Sequence, residues 1–153
     1  MNPCPYGYLG DFSGRCHCTS EQVQRYRSRV LGPLLDRIDP HVEVPRLPST
    51  LFSGTSGKTT ENSETIRNQV TTARTLGLKQ CNYTNDSMRV NQVQTHCWLG
   101  NAANLLLERA TVRFGLSHRA YHRILKVTRI IADLTESRKT ESAHLGKAIG
   151  YRN

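Results

Sequence analysis

No stretch of this 153-residue chain comes near the length of about eighteen consecutive apolar residues that a membrane-spanning helix requires. Met1 is followed by Asn-Pro-Cys-Pro, without the basic and then apolar pattern of a secretory leader, so a cytoplasmic protein with no membrane partner is expected. Acidic residues are scarce: 12 Asp and Glu stand against 21 Lys and Arg, a formal net charge of +9. That imbalance points to nucleic acid, nucleotide phosphates or an anionic surface, without choosing among them. The five cysteines are odd in number and unevenly spread, which argues against a disulfide framework and for free thiols, in part a metal site. A complete phosphate-binding loop is also missing. Gly57-Lys58-Thr59 resembles the end of one, but Phe52 stands where the first glycine is required, and neither a buried strand before it nor an apolar helix after it is indicated.

What the chain does contain is organised around Leu116 to Leu134, LSHRAYHRILKVTRIIADL. Tyr121, Ile124, Leu125, Thr128, Ile131 and Ala132 recur at helical spacing, while Arg119, His122, Lys126, Arg129 and Asp133 are expected on an opposite, cationic face. Ser117 is suited to cap this helix, Leu116 and Tyr121 to staple it, and Gly115 to end the preceding one in a left-handed turn. Arg119 then falls in the first turn, where unpaired backbone N–H groups already favour an anion.

Taken in order, residues 1 to 18 are rich in Pro, Gly and Cys and read as a loop that needs a neighbour. Thr19 and Gln22 are spaced as a capping box for a short helix over Glu21 to Arg29, broken by Gly32-Pro33. Leu34 to Asp39 reads as a compact turn. His41 to Val44 alternates like a short strand, which would imply a sheet elsewhere. Ser49 to Asn62 is a Ser/Thr/Gly linker. Beyond it, Ser63 is expected to cap a helix along Ile66, Val70, Ala73 and Leu76 that weakens at Gly77. Cys81 to Gln94 reads as a long polar loop, Asn101 to Arg113 as a helix, and Glu141 to Tyr151 as a last, weaker helix. The helices after the linker, closely connected beyond Gly100, suggest a small bundle able to fold alone over residues 63 to 153.

Several segments carry a resemblance: Asn2-Pro3-Cys4-Pro5 with Gly7-Tyr8; Arg15-Cys16-x-Cys18-Thr19; Gly32 to Asp39 with Val42-Glu43-Val44-Pro45; Gly115 to Val127; and Ala143-His144-Leu145 with Tyr151-Arg152. Together they resemble the magnesium-chelatase-like AAA+ ATPases of the ComM/YifB (competence protein) family, along nearly the whole chain and in that family's C-terminal portion. The resemblance implies a mainly α chain: a C-terminal helical lid bundle over 63–153, preceded by a linker at 49–62 and, over 1–48, an orphan tail of the α/β core with one short helix, one short strand and loops. It implies that Asn2 is the sensor 1 residue orienting the attacking water, Arg37 the arginine finger reaching a neighbouring subunit, and Arg119 the sensor 2 residue of the lid. It further implies ATP and Mg2+ in the intact protein, gripped by an N-terminal ATPase half absent from this sequence, with the neighbouring subunits of a hexameric ring and DNA as partners. The family role is ATP-driven DNA branch migration, and this chain alone is expected to hydrolyse nothing and to need no cofactor.

The sequence departs from the family pattern at Tyr6, where such chains carry a further cysteine. Cys4, Cys16 and Cys18, with His17, remain as a weak zinc set, although adjacent residues seldom face one metal, and zinc is not expected. Pro40, Lys139 and Gly146 stand where more apolar or helix-favouring residues belong. Two other readings compete. One is a small basic module in which a helix-turn-helix presents Arg119, His122, Arg123, Lys126 and Arg129 to DNA phosphates. The other is part of a magnesium chelatase subunit that serves insertion of Mg2+ into a tetrapyrrole.

Overall fold

The computed structural model describes residues 2–11, 14–30, 32–35, 37–44 and 61–152, with nothing said of the Pro33 side chain. The linker and the incomplete phosphate loop over residues 45–60 lie outside the described residues. The chain divides into two compact units, one made of Met1–Ile38 and Glu43–Ser56, the other of Asp39–Val42 and Gly57–Asn153.

In the first unit, helix α1 (Ser20–Arg27) opens on the expected capping box, in which Thr19 Oγ1 accepts from the Gln22 N–H at 3.3 Å and Gln22 Oε1 accepts from the Thr19 N–H at 3.0 Å. It ends two residues earlier than expected and buries none of its residues. A single turn, α2 (Gly32–Leu35), follows, and the Arg37 and Ile38 N–H groups close onto Leu34 and Leu35 carbonyls.

The second unit is an all-helical bundle of α3 (Ser63–Cys81), a 3-10 turn at Asn85–Ser87, α4 (Val90–His96), α5 (Asn101–Phe114), α6 (His118–Leu134) and α7 (Ser142–Gly150). Helix α6 is its axis and contacts α3, α4, α7 and the 3-10 turn. Its boundary follows from local chemistry. Gly115 adopts φ 57°, which a glycine takes without steric cost, and its N–H closes onto the Thr111 carbonyl. Ser117 Oγ then accepts from the Ala120 N–H at 3.1 Å and satisfies one of the orphan donors of the next helix. The core gathers Ile124, Leu125 and Ile131 of α6 with Leu107 of α5, Val93 of α4, Leu145 of α7, and Met88, Cys97 and Leu99 from the connections. An isolated parallel bridge between Leu99 and Thr140 ties two of those connections, and Thr140 Oγ1 donates to the Trp98 carbonyl.

Four expectations are corrected. His41 to Val44 is extended coil, and no strand occurs among the described residues. Instead of joining a ladder, the His41 N–H donates to the Tyr151 carbonyl at 2.6 Å. The cap of α3 is Asn62, whose side chain accepts from the Glu64 N–H at 3.2 Å, and Ser63 is already helical. The helix expected to weaken at Gly77 runs on to Cys81 and closes through Asn82 in the left-handed region. The polar segment after Cys81 folds into the 3-10 turn and α4, because Val93 and Met88 reach the core from an otherwise hydrophilic stretch. No helix among the described residues is long and apolar enough to cross a membrane.

Candidate functional site

In the first unit the sequence motifs converge on a turn at residues 2 to 10. Gly7 and Gly10 adopt φ values of 80° and 84°, which fold the Pro- and Cys-rich segment back on itself. The Asn2 side chain is exposed and lies over Gly7, so that a Cβ at Gly7 would meet Asn2 Nδ2 at 3.4 Å. Beside this turn Cys4 is completely buried and its Sγ is 3.6 Å from Cys16 Sγ. The sulfurs of Cys4, Cys16 and Cys18 all lie within 4.8 Å of one another. Burial opposes ionisation of Cys4, but the Cys16 and Cys18 thiols and the backbone N–H groups of Leu9 and Gly7 bring its pKa down to about 7. At Cys18 the Tyr6 N–H favours the thiolate, yet burial and the two neighbouring thiols outweigh it and the pKa rises. The turn is braced from outside by Arg27, whose Nε donates to the Pro3 carbonyl at 3.3 Å, and by Arg15, stacked 5.8 Å over the Tyr8 ring. Arg37, just past α2, is exposed.

In the second unit Arg119 occupies the first turn of α6, exposed and immediately after the Ser117 cap. A guanidinium held there, next to backbone N–H groups that α6 itself cannot use, is suited to phosphoryl oxygens. The remaining basic residues of α6 are otherwise engaged. Arg123 Nη1 pairs with Asp39 Oδ1 at 2.8 Å, and Lys126 Nζ donates to the Asp86 carbonyl at 2.8 Å. Arg129 is a correction to the cationic-face expectation, because only 3 % of it is exposed. It donates to Asp133 and to the Ser137 and Arg138 carbonyls, and Asp133 in turn accepts from Asn85 Nδ2 at 2.7 Å. Arg129 is thus a core residue that ties the end of α6 to the loop beyond it, and it offers nothing to DNA.

The structure brings the three cysteines together, places Asn2 against the same turn, and leaves Arg37 and Arg119 exposed, one in each unit. Sequence reasoning missed the role of Asp39, which sits with the helical unit through Arg123. The partner lies 84 residues further on, and no local spacing announces it.

Comparison with known proteins covers both units and points to one family. Residues 60–152 match the family described as magnesium chelatase, subunit ChlI C-terminal, and residues 1–51 match magnesium chelatase, subunit ChlI. The chain belongs to the magnesium chelatase subunit ChlI family. Among its relatives, it is 39 % identical over 153 residues to the competence protein ComM of Haemophilus influenzae and 37 % identical over 152 residues to the protein YifB of Escherichia coli. Each alignment covers 99 % of this chain and 29 % of the relative, so the chain spans less than a third of the length of the curated relatives it matches.

Proposed function

We propose that this chain supplies the γ-phosphate sensor, the intersubunit finger and the lid of an AAA+ ATPase whose nucleotide-gripping half lies outside this sequence. The observation that carries the reading is Arg119, exposed in the capped first turn of α6, a place where helix N–H groups and a guanidinium both favour an anion. Asn2 suits the task of orienting a water, since an amide both donates and accepts. Arg37 suits the task of stabilising charge on a neighbour's transferring phosphoryl group. The Mg2+ of such a reaction needs hard oxygen ligands, and the one grouped donor set among the described residues consists of thiols. The described residues therefore do not fit that ion.

The intact assembly acts, on this proposal, as a hexameric motor on DNA. Its likeness to a competence protein and its net charge of +9 support that reading. The alternative of a self-contained DNA-binding module through α6 loses one of its proposed contacts, because Arg129 is buried.

The test is phosphate release. The purified chain, with or without DNA, is expected to show no turnover of ATP, and robust turnover would overturn the assignment. In a full-length relative, changing the counterpart of Arg37 to Ala should lower ATP turnover by roughly three to five powers of ten. The counterpart of Arg119 changed to Ala should also lower turnover strongly, with thermal stability unchanged in both variants. Wild-type rates in those variants would sink the proposed roles.

A further inference from the structure

We propose that Cys4, Cys16 and Cys18 form a three-thiolate binding site for a Zn2+-class ion, with the fourth coordination position left to a ligand from outside the cysteine turn. The argument begins with spacing. Thiolates about 2.3 Å from a tetrahedral zinc are about 3.8 Å from one another. Cys4 and Cys16 are already 3.6 Å apart, and all three sulfurs lie within 4.8 Å of each other, so an ion enters with little rearrangement. A Cys4–Cys16 disulfide would leave Cys18 as an orphan thiol, whereas a metal uses all three.

The second observation is independent of the thiols themselves. Backbone N–H groups of Gly7 and Leu9 turn toward Cys4 Sγ, and that of Tyr6 turns toward Cys18 Sγ. Such donors disperse negative charge on sulfur and fix the direction of a ligand, as outer-shell partners of metal sites do. The left-handed Gly7 and Gly10 make this inward turning of the backbone feasible.

The third is what holds the segment together. Cys4 is the one buried residue among the described residues of the first unit, and α1 buries none. A segment without an apolar core gains most from a cross-link, and a structural metal supplies one. Metal entry releases one proton for each sulfur that binds as thiolate. An open hollow lined by Leu9, Cys18, Val23 and Arg27 reaches the cluster and gives the ion a way in. Sulfur donors select zinc and softer ions over Mg2+. The site stands apart from the nucleotide reading, although it would also stiffen the turn on which Asn2 rests.

The experiment uses the full chain, reduced so that all five thiols titrate as free, with Co2+ as the probe. One equivalent of Co2+ is expected to give thiolate-to-cobalt charge-transfer absorption with visible bands of tetrahedral intensity, and Zn2+ is expected to displace it. Cys4→Ser, Cys16→Ser and Cys18→Ser should each weaken binding by at least about tenfold. Cys81→Ser, Cys97→Ser and His17→Gln should bind as the parent does. Because a serine variant can perturb the turn, a second readout uses the unmodified chain: Zn2+ should protect Cys4, Cys16 and Cys18 from alkylation, mapped by mass spectrometry. A reduced chain that gives no charge-transfer band, a band that survives all three serine changes, or alkylation indifferent to Zn2+ would each overturn the site.

Discussion

Arg129 donates from both Nε and Nη2 to one carboxylate oxygen of Asp133, at 2.9 and 2.5 Å, with side-chain exposures of 3 % and 1 %. A pair this deep has lost nearly all its hydration, so its value lies in how completely it is satisfied. The Ser137 and Arg138 carbonyls take two of the three remaining guanidinium protons, and Asn85 covers the second carboxylate oxygen. Removing one partner should therefore be far worse than removing both. Arg129→Met is expected to destabilise the helical unit by about 3–5 kcal/mol, because it strands a buried carboxylate. The double variant Arg129→Met, Asp133→Leu should recover a large part of that loss. Urea unfolding of the two single variants and the double variant, read as a double-mutant cycle, checks it; additive losses would contradict the coupling.

The start of α6 offers a cleaner test of local backbone chemistry. Gly115 has φ 57° and no atom within 4 Å of where a Cβ would stand, so the penalty of Gly115→Ala comes from the backbone alone. A loss of roughly 1–2 kcal/mol is expected. Ser117→Ala should cost about 1 kcal/mol by orphaning the Ala120 N–H, whereas Ser117→Asp should be close to neutral. Chemical denaturation midpoints measure both, and a neutral Gly115→Ala would show that the left-handed turn is not required.

His122 gives the helical unit a pH dependence of definite sign. Neither of its buried ring nitrogens has a hydrogen-bond partner, and the ring sits 4.6 Å from that of His118. Burial, His118 and Lys126 hold its pKa below the ordinary value of 6.5. The unfolded chain thus takes up the proton first. Stability is intact above pH 6.5, the ordinary value, and declines as pH falls below it, until the folded ring also protonates. His122→Gln should flatten that decline. Thermal midpoints across about pH 5 to 8 report it, and an identical slope in the variant would refute the assignment.

The sequence was most informative where period and punctuation agreed. Helix α6 was legible because its apolar spacing, its serine cap and the preceding glycine all mark the same boundary. Helix α4 was not, since Val93 is the one buried residue in its seven and a polar heptamer with a single anchor carries no readable period. Arg129 and Asp133 were misassigned to the solvent face because periodicity treats every charge as outward. Only tertiary contacts with Asn85 and the Ser137–Arg138 backbone make their burial affordable. The alternation at His41 to Val44 is a genuine strand pattern, but its backbone finds Tyr151 instead of a ladder. The closeness of Cys4 to Cys16 goes with three positive-φ glycines between them, Gly7, Gly10 and Gly14, and a spacing of twelve residues does not announce it.

Asp39 and His41 are fastened to the bundle by Arg123 and by the Tyr151 carbonyl. The segment Asp39–Val42 thus joins the helical unit from far away in sequence, through one ion pair to α6 and one backbone hydrogen bond beyond the end of α7. It is moored by polar contacts at its two ends and adds nothing to the apolar core.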